Sequence, residues 1–204
     1  MERHTFRLNK NMSNLFATVE REAFRAGITP RTRQSRDWFR KKVQRMRVNR
    51  RGLMREEEII MRNRGGVGGM YMFFYDPKTK DKLPYYDNFP LIVFVEGTKG
   101  GFYGLNLHYL PMTLRAKFLD GLMDQTNNQK FDETTRFDLS YDYLKRAAKM
   151  KYFKPCFKKY LTSHVEGRLA MVPAPEWEIA TFLPTAQWSK SSQSKVYADS
   201  REMI

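Results

Sequence analysis

Three histidines, one cysteine and a closely spaced pair of aspartates are the residues of this sequence suited to covalent or metal chemistry. A hydrolase or a metal centre needs several such groups at relay or ligand spacing. His4, His108 and His164 lie far apart, and none forms a metal-ligand pattern with Cys or acids. Asn106 precedes His108 by two residues, so a strand would place both on one face. As polar residues in an apolar stretch, both are expected to be hydrogen-bonded structural groups. Cys156 lies between Lys154 and Lys158, cations that favour a thiolate, but no base is near it in sequence. Asp120 and Asp124 lie one helical turn apart, a spacing that suits a two-metal site and equally a solvated helix face. The run Gly65-Gly66-Val67-Gly68-Gly69 lacks the Lys-Ser/Thr of a phosphate-binding loop. It also lies between a helix and a strand, the reverse of the order such a loop requires. No catalytic constellation emerges, so neither metal, cofactor nor small-molecule substrate is expected, and the chain reads as non-enzymatic.

Charge carries more information. The 204 residues hold 37 Lys and Arg against 22 Asp and Glu, a net +15, which points to a polyanionic partner. Residues 1–64 carry 18 of these cations against 7 acids, so +11 of the +15 lies in under a third of the chain. Of those 18, 15 are Arg, whereas 14 of the 19 beyond residue 64 are Lys. Arginine offers a planar fork for phosphate or carboxylate, lysine a hydrated point charge. An Arg-selective segment therefore predicts a contact surface. A single Cys excludes a disulfide framework, and no apolar run approaches the roughly 20 residues of a membrane span. The first residues lack the apolar stretch of a secretory leader, so none is expected.

The composition changes at the glycines, which divide the chain into a basic helical arm (1–64), a hinge (65–69), an α+β body (70–188) and an extended tail (189–204). In the arm, residues 31–55 hold 11 basic residues and one acid, Asp37. Thr29-Pro30 predicts a helix start. Trp38, Phe39, Val43 and Met46 predict an amphipathic helix running to about Gly52. Leu15, Phe16, Val19, Ala23 and Phe24 predict another helix over residues 11–26, and residues 55–62 a short third. These stripes are narrow, so the arm is expected to order on a partner. Its candidate contacts are Arg31, Arg33, Arg36, Arg40, Lys41, Arg45, Arg47, Arg50 and Arg51. Phosphates, an acidic protein face and plain solvation all remain open for them.

In the body, residues 70–75 and 91–95 predict strands, the second fully buried. Thr98-Lys99-Gly100-Gly101 predicts a hairpin returning through residues 102–109. Further strands are expected at 168–172 and 177–182, and helices at 111–124, 138–150 and 155–163. The expected fold is α+β, a small twisted antiparallel sheet or partial barrel with inserted helices. Lys145, Arg146, Lys149, Lys151, Lys158 and Lys159 form a second basic patch, interleaved with Tyr152, Phe153, Phe157 and Tyr160. Such a mixture suits either core packing or stacking of single-stranded bases.

The block Leu83-Pro84-Tyr85-Tyr86-Asp87-Asn88-Phe89-Pro90-Leu91, followed by Gly101-Phe102-Tyr103-Gly104-Leu105-Asn106-Leu107-His108-Tyr109-Leu110-Pro111, resembles small virion structural proteins of contractile-tailed, T4-like phages. These include DNA end protector, head-completion and baseplate components. The likeness continues through Lys154-Pro155-Cys156, residues 160–164 and Glu176-Trp177-Glu178. It covers roughly residues 70–184, but not the Arg-rich N-terminus. It implies a non-enzymatic virion protein made in the host cytoplasm. That protein would assemble with other virion proteins in the tail, baseplate or head–neck region, its basic arm against DNA or an acidic neighbour. The alternatives are protection of packaged DNA ends, or a metal-dependent nuclease built on Asp120 and Asp124.

Overall fold

The computed structural model describes residues 15–30, 32–56, 59–126, 142–147 and 149–203. Arg31, His4 and the start of the helix expected over 138–150 fall outside them, as do the side chains of Asp124 and Tyr152.

The aromatic run β2 (Met70–Tyr75) and the apolar run β4 (Leu91–Thr98) form the middle of a six-stranded sheet. β1 (Ile60–Arg62), β7 (Val165–Val172), β2, β4, β5 (Gly101–Asn106) and β6 (Phe157–Leu161) lie side by side in that order. Every neighbouring pair is antiparallel, and the sheet is not closed into a barrel. Strand alternation sorts the side chains. Met70, Met72, Leu91, Val93 and Val95 face the helices. Tyr71, Phe73, Tyr75, Ile92, Phe94, Phe102 and Tyr160 pack together on the other face. There Phe94 stacks on Phe102, and Phe102 on Tyr160, with centroids 5.3 and 5.5 Å apart.

Helices α1 (Leu15–Arg25), α2 (Arg33–Val43), α4 (Met112–Thr126), α5 (142–147) and α6 (Trp177–Phe182) contribute to the core of the first face. All six residues of α6 are buried. A helix apolar all round has no period-3.6 stripe, which is why the sequence over 177–182 suggests a strand. Residues 155–163 are not helical either. A 3-10 segment (Lys151–Cys156) leads into β6, where Phe157 and Tyr160 face opposite sides and their spacing of three mimics a helical stripe. The strand returning from the hairpin stops at Asn106, which caps a 3-10 turn (Leu107–Tyr109) by accepting the His108 N–H. His108 therefore follows Asn106 around a turn and not along a strand.

The N-terminal segment differs most from expectation. Phe16, Val19, Phe39, Val43 and Leu53 are buried in one cluster with the sheet residues, at about 2 kcal/mol per fully buried side chain. The apolar sides of these helices pack on the body. The expected hinge is packed as well: the Gly68 N–H donates to Phe94 O, and Gly69 O accepts from the Phe94 N–H. α2 begins later than expected, behind a Thr32/Ser35 capping box, and ends at Val43. Asn49 caps a separate short α3 (Arg50–Leu53). Within the stretch expected as a third helix, Ile60–Arg62 pairs with β7 as an edge strand.

The tail is not extended. β3 (Tyr86–Asp87) pairs with β8 (Trp188–Ser189), and Trp188 packs edge-on against Tyr109 at 4.8 Å. Ser192 then caps α7 (Gln193–Glu202), which buries Val196 and Ser200. The Ser-rich composition applies only to the cap region, and the residues after it are ordinary helix formers.

Candidate nucleic-acid interface

The structure divides the arginine-rich set in two. Arg36 reaches from α2 to Asp120 on α4 and lies 3.5 Å from Glu178 on α6, while Ser35 donates to Glu178 at 2.8 Å. Glu178 is sealed from solvent at 1% exposure. Arg36 is therefore an internal strut, and it occupies the Asp120 carboxylate considered above for a metal. Arg50 donates to Thr185 O at 2.7 Å and Ala186 O at 2.6 Å. Burial lowers its pKa, with Asp87 acting the other way. Arg40 pairs with Asp37 at 2.9 Å.

Arg33, Lys41, Arg45, Arg47 and Arg51 remain, joined by Arg55. All six are exposed, and among the described residues none of their side chains makes an ion pair or hydrogen bond. They lie on α2, α3 and the turns that follow these helices, whose apolar sides are anchored in the core. Cations held on an anchored scaffold need little further ordering to meet an anion.

The two groups should respond differently to mutation. Arg36→Ala leaves Glu178 buried without its cation and is expected to cost about 3 kcal/mol of stability. Arg47→Ala is expected to change stability by no more than about 0.5 kcal/mol. Urea unfolding of both variants checks the contrast; equal midpoints would remove Arg36 from the framework.

The second basic patch is also only partly available. Lys145 lies 3.6 Å from Glu96. Lys158 is tucked over the Tyr109 ring at 4.2 Å, and burial lowers its pKa. Arg146, Lys149, Lys151 and Lys159 are exposed. Three of the interleaved rings belong to the core: Phe157 stacks on Tyr103 at 5.1 Å, Phe153 packs on Phe118, and Tyr160 is buried. Burial pushes the Cys156 thiol up to about 12, so the flanking lysines do not make it a thiolate.

A buried polar cluster lies behind this surface, and sequence reasoning found only two of its members. The Asp87 carboxylate accepts from the backbone N–H groups of Phe89 and Gln187, both at 3.0 Å, and from Asn106 Nδ2 at 3.1 Å. His108 Nδ1 lies 2.6 Å from it, and His108 Nε2 lies 3.1 Å from Thr185 Oγ1. Burial opposes the charge on Asp87, but His108 and the other donors outweigh it and hold its pKa below the usual range. Burial lowers the pKa of His108, with Asp87 opposing. Neutral His108 therefore donates from Nδ1 to the carboxylate and accepts the Thr185 hydroxyl at Nε2. The order Asp–His–Thr matches a hydrolase relay. All three side chains are sealed inside the protein, however, where no substrate can reach the hydroxyl. Arg115, 1% exposed, completes the cluster by donating to Leu110 O, Thr181 O, His108 O and the Tyr197 hydroxyl. One signal for it was present in the sequence. Arg115 shares the α4 face of Phe118, Leu119 and Leu122, where a cation is out of place. Among the described residues there is no group of three or more metal-capable side chains, and no helix long and apolar enough to cross a membrane.

Fold and surface together define a basic α+β protein whose accessible arginines are concentrated on its N-terminal helices. Residues 3–203 match the family model described as the phage T4 terminal DNA protecting protein, and the chain belongs to that family. The match takes in the arginine-rich region that the block resemblance left out. No curated protein and no solved structure matches the chain.

Proposed function

We propose that this protein protects the ends of phage DNA by binding them, without catalysing a reaction, as a virion component made in the host cytoplasm and assembled with other virion proteins. The observation that carries this reading is the set Arg33, Lys41, Arg45, Arg47, Arg51 and Arg55. These cations are presented without acidic partners, among the described residues, on helices fixed to the core of a chain from a DNA-protecting family. Guanidinium groups placed this way grip phosphates whatever the sequence, as a protector of arbitrary ends requires. Arg36 and Arg50 act as framework, and Arg40 is paired with Asp37 on the surface of α2. A nuclease reading loses its best carboxylate, because Arg36 holds Asp120.

The test is digestion of linear duplex DNA by a processive exonuclease, with and without the protein. The expected result is full-length DNA surviving in proportion to protein added, with less survival for an Arg45→Ala/Arg47→Ala/Arg51→Ala variant. Unchanged digestion, or DNA cut by the protein itself in magnesium, would overturn the proposal.

A further inference from the structure

The aromatic face of the sheet opens at one end into a cleft of about 730 Å³. Phe94 and Phe102 form its apolar floor, and Arg64, Lys99 and Arg168 line it. No acid does. The three cations come from separate places: the loop after β1, the β4–β5 turn and β7. All are exposed and, among the described residues, unpaired. Lys99 and Arg168 belong to residues 65–204, which carry a net charge of only +4, and Arg64 joins them from the edge of the basic N-terminal segment.

Local backbone features shape the opening. Between Met72↔Ala170 and Phe74↔Glu166, β7 has two residues more than β2, and Gly167 there takes φ +84°. Such bulges re-aim side chains, and Arg168 lies within this one. Gly101 must be glycine, because a Cβ would lie 2.0 Å from Tyr160 O. At this size the cleft accommodates a nucleotide-sized ligand, not a duplex.

We propose that this cleft takes the terminal phosphomonoester and first nucleotide of a DNA strand; the inference rests on the end-protecting function proposed above. An internal phosphodiester carries one negative charge and a terminal phosphate nearly two. A three-cation pocket therefore favours the terminus over the body of a strand. The helix arginines hold the duplex, and the cleft distinguishes an end from continuous DNA.

The experiment uses the full chain and fluorescence anisotropy. The probes are short single strands with a 5′-phosphate, a 3′-phosphate or neither, and a duplex closed by hairpins at both ends. Two variants block the cleft: Arg64→Ala/Arg168→Ala, and Gly97→Glu. Gly97 lines the cleft, and a Cβ there would meet nothing within 4 Å, so the fold accommodates the added side chain. Gly97→Ala is the control. The expected result is a preference of roughly tenfold for one of the phosphorylated ends. Both blocking variants should bring this preference to within about twofold, leaving binding of the closed duplex unchanged. Absence of a preference in the unaltered protein, or its survival in both variants, overturns the cleft proposal. With exonuclease protection intact, that failure leaves the proposed function standing. Failure of the unaltered protein to protect open duplex ends from the exonuclease would strike at the proposed function itself.

Discussion

Asp87→Ala is expected to destabilise the protein by about 5 kcal/mol, the largest effect of any single substitution considered for this fold. The substitution removes the shared acceptor of four donors, two of them backbone N–H groups, of which that of Phe89 is buried. Thr185→Val removes one hydroxyl at the far end of the same cluster and should cost about 1 kcal/mol. Chemical denaturation of the two variants checks the ratio; similar midpoints would show the cluster to be dispensable. The cluster also sets the response to acid. His108 has a folded pKa below its unfolded value of about 6.5, so its contribution is complete above that pH and is lost as the pH falls through the folded pKa. Asp87 is likewise depressed below about 3.9 and is lost in the same direction, at lower pH. Melting temperature should therefore be level above about pH 7 and fall on acidification, and the fall beginning near pH 6.5 should be absent from His108→Gln.

The second large effect concerns DNA. If all six unpaired cations of the N-terminal helices meet phosphates, the logarithm of the affinity falls with log salt at a slope of about −5. Between 50 and 200 mM salt this is roughly a thousandfold loss of binding. Arg45→Ala/Arg47→Ala should reduce the slope by about 2, whereas Arg40→Ala, already paired with Asp37, should change it little. Binding measured over a salt series decides the matter. A slope shallower than about −2 in the unaltered protein would assign these arginines to a partner other than DNA.

The sheet could be read from sequence where burial is complete on both faces. Residues 70–75 and 91–95 are continuous aromatic or apolar runs, and both are central strands. α4 was legible from its stripe. The failures share one cause, long-range partners that leave no local pattern. Arg36 finds Glu178 142 positions away in sequence, and Arg50 finds carbonyls at 185 and 186, so neither differs locally from Arg47. α6 is enclosed on every side and loses its period. Asp87 lies between Pro84 and Pro90, but nothing near it in sequence shows that its partners lie at 106, 108 and 187. Narrow stripes on α1 and α2 suggested an arm awaiting a partner. They are narrow because each helix presents only one edge to a core that is already large.

The short pairing of residues 86–87 with 188–189 has a consequence for biogenesis. The donor on Gln187 and the hydroxyl on Thr185 reach Asp87 and His108 only after nearly the whole sheet has been synthesised. A nascent chain stalled short of residue 185 would hold its central carboxylate and imidazole without their closing partners.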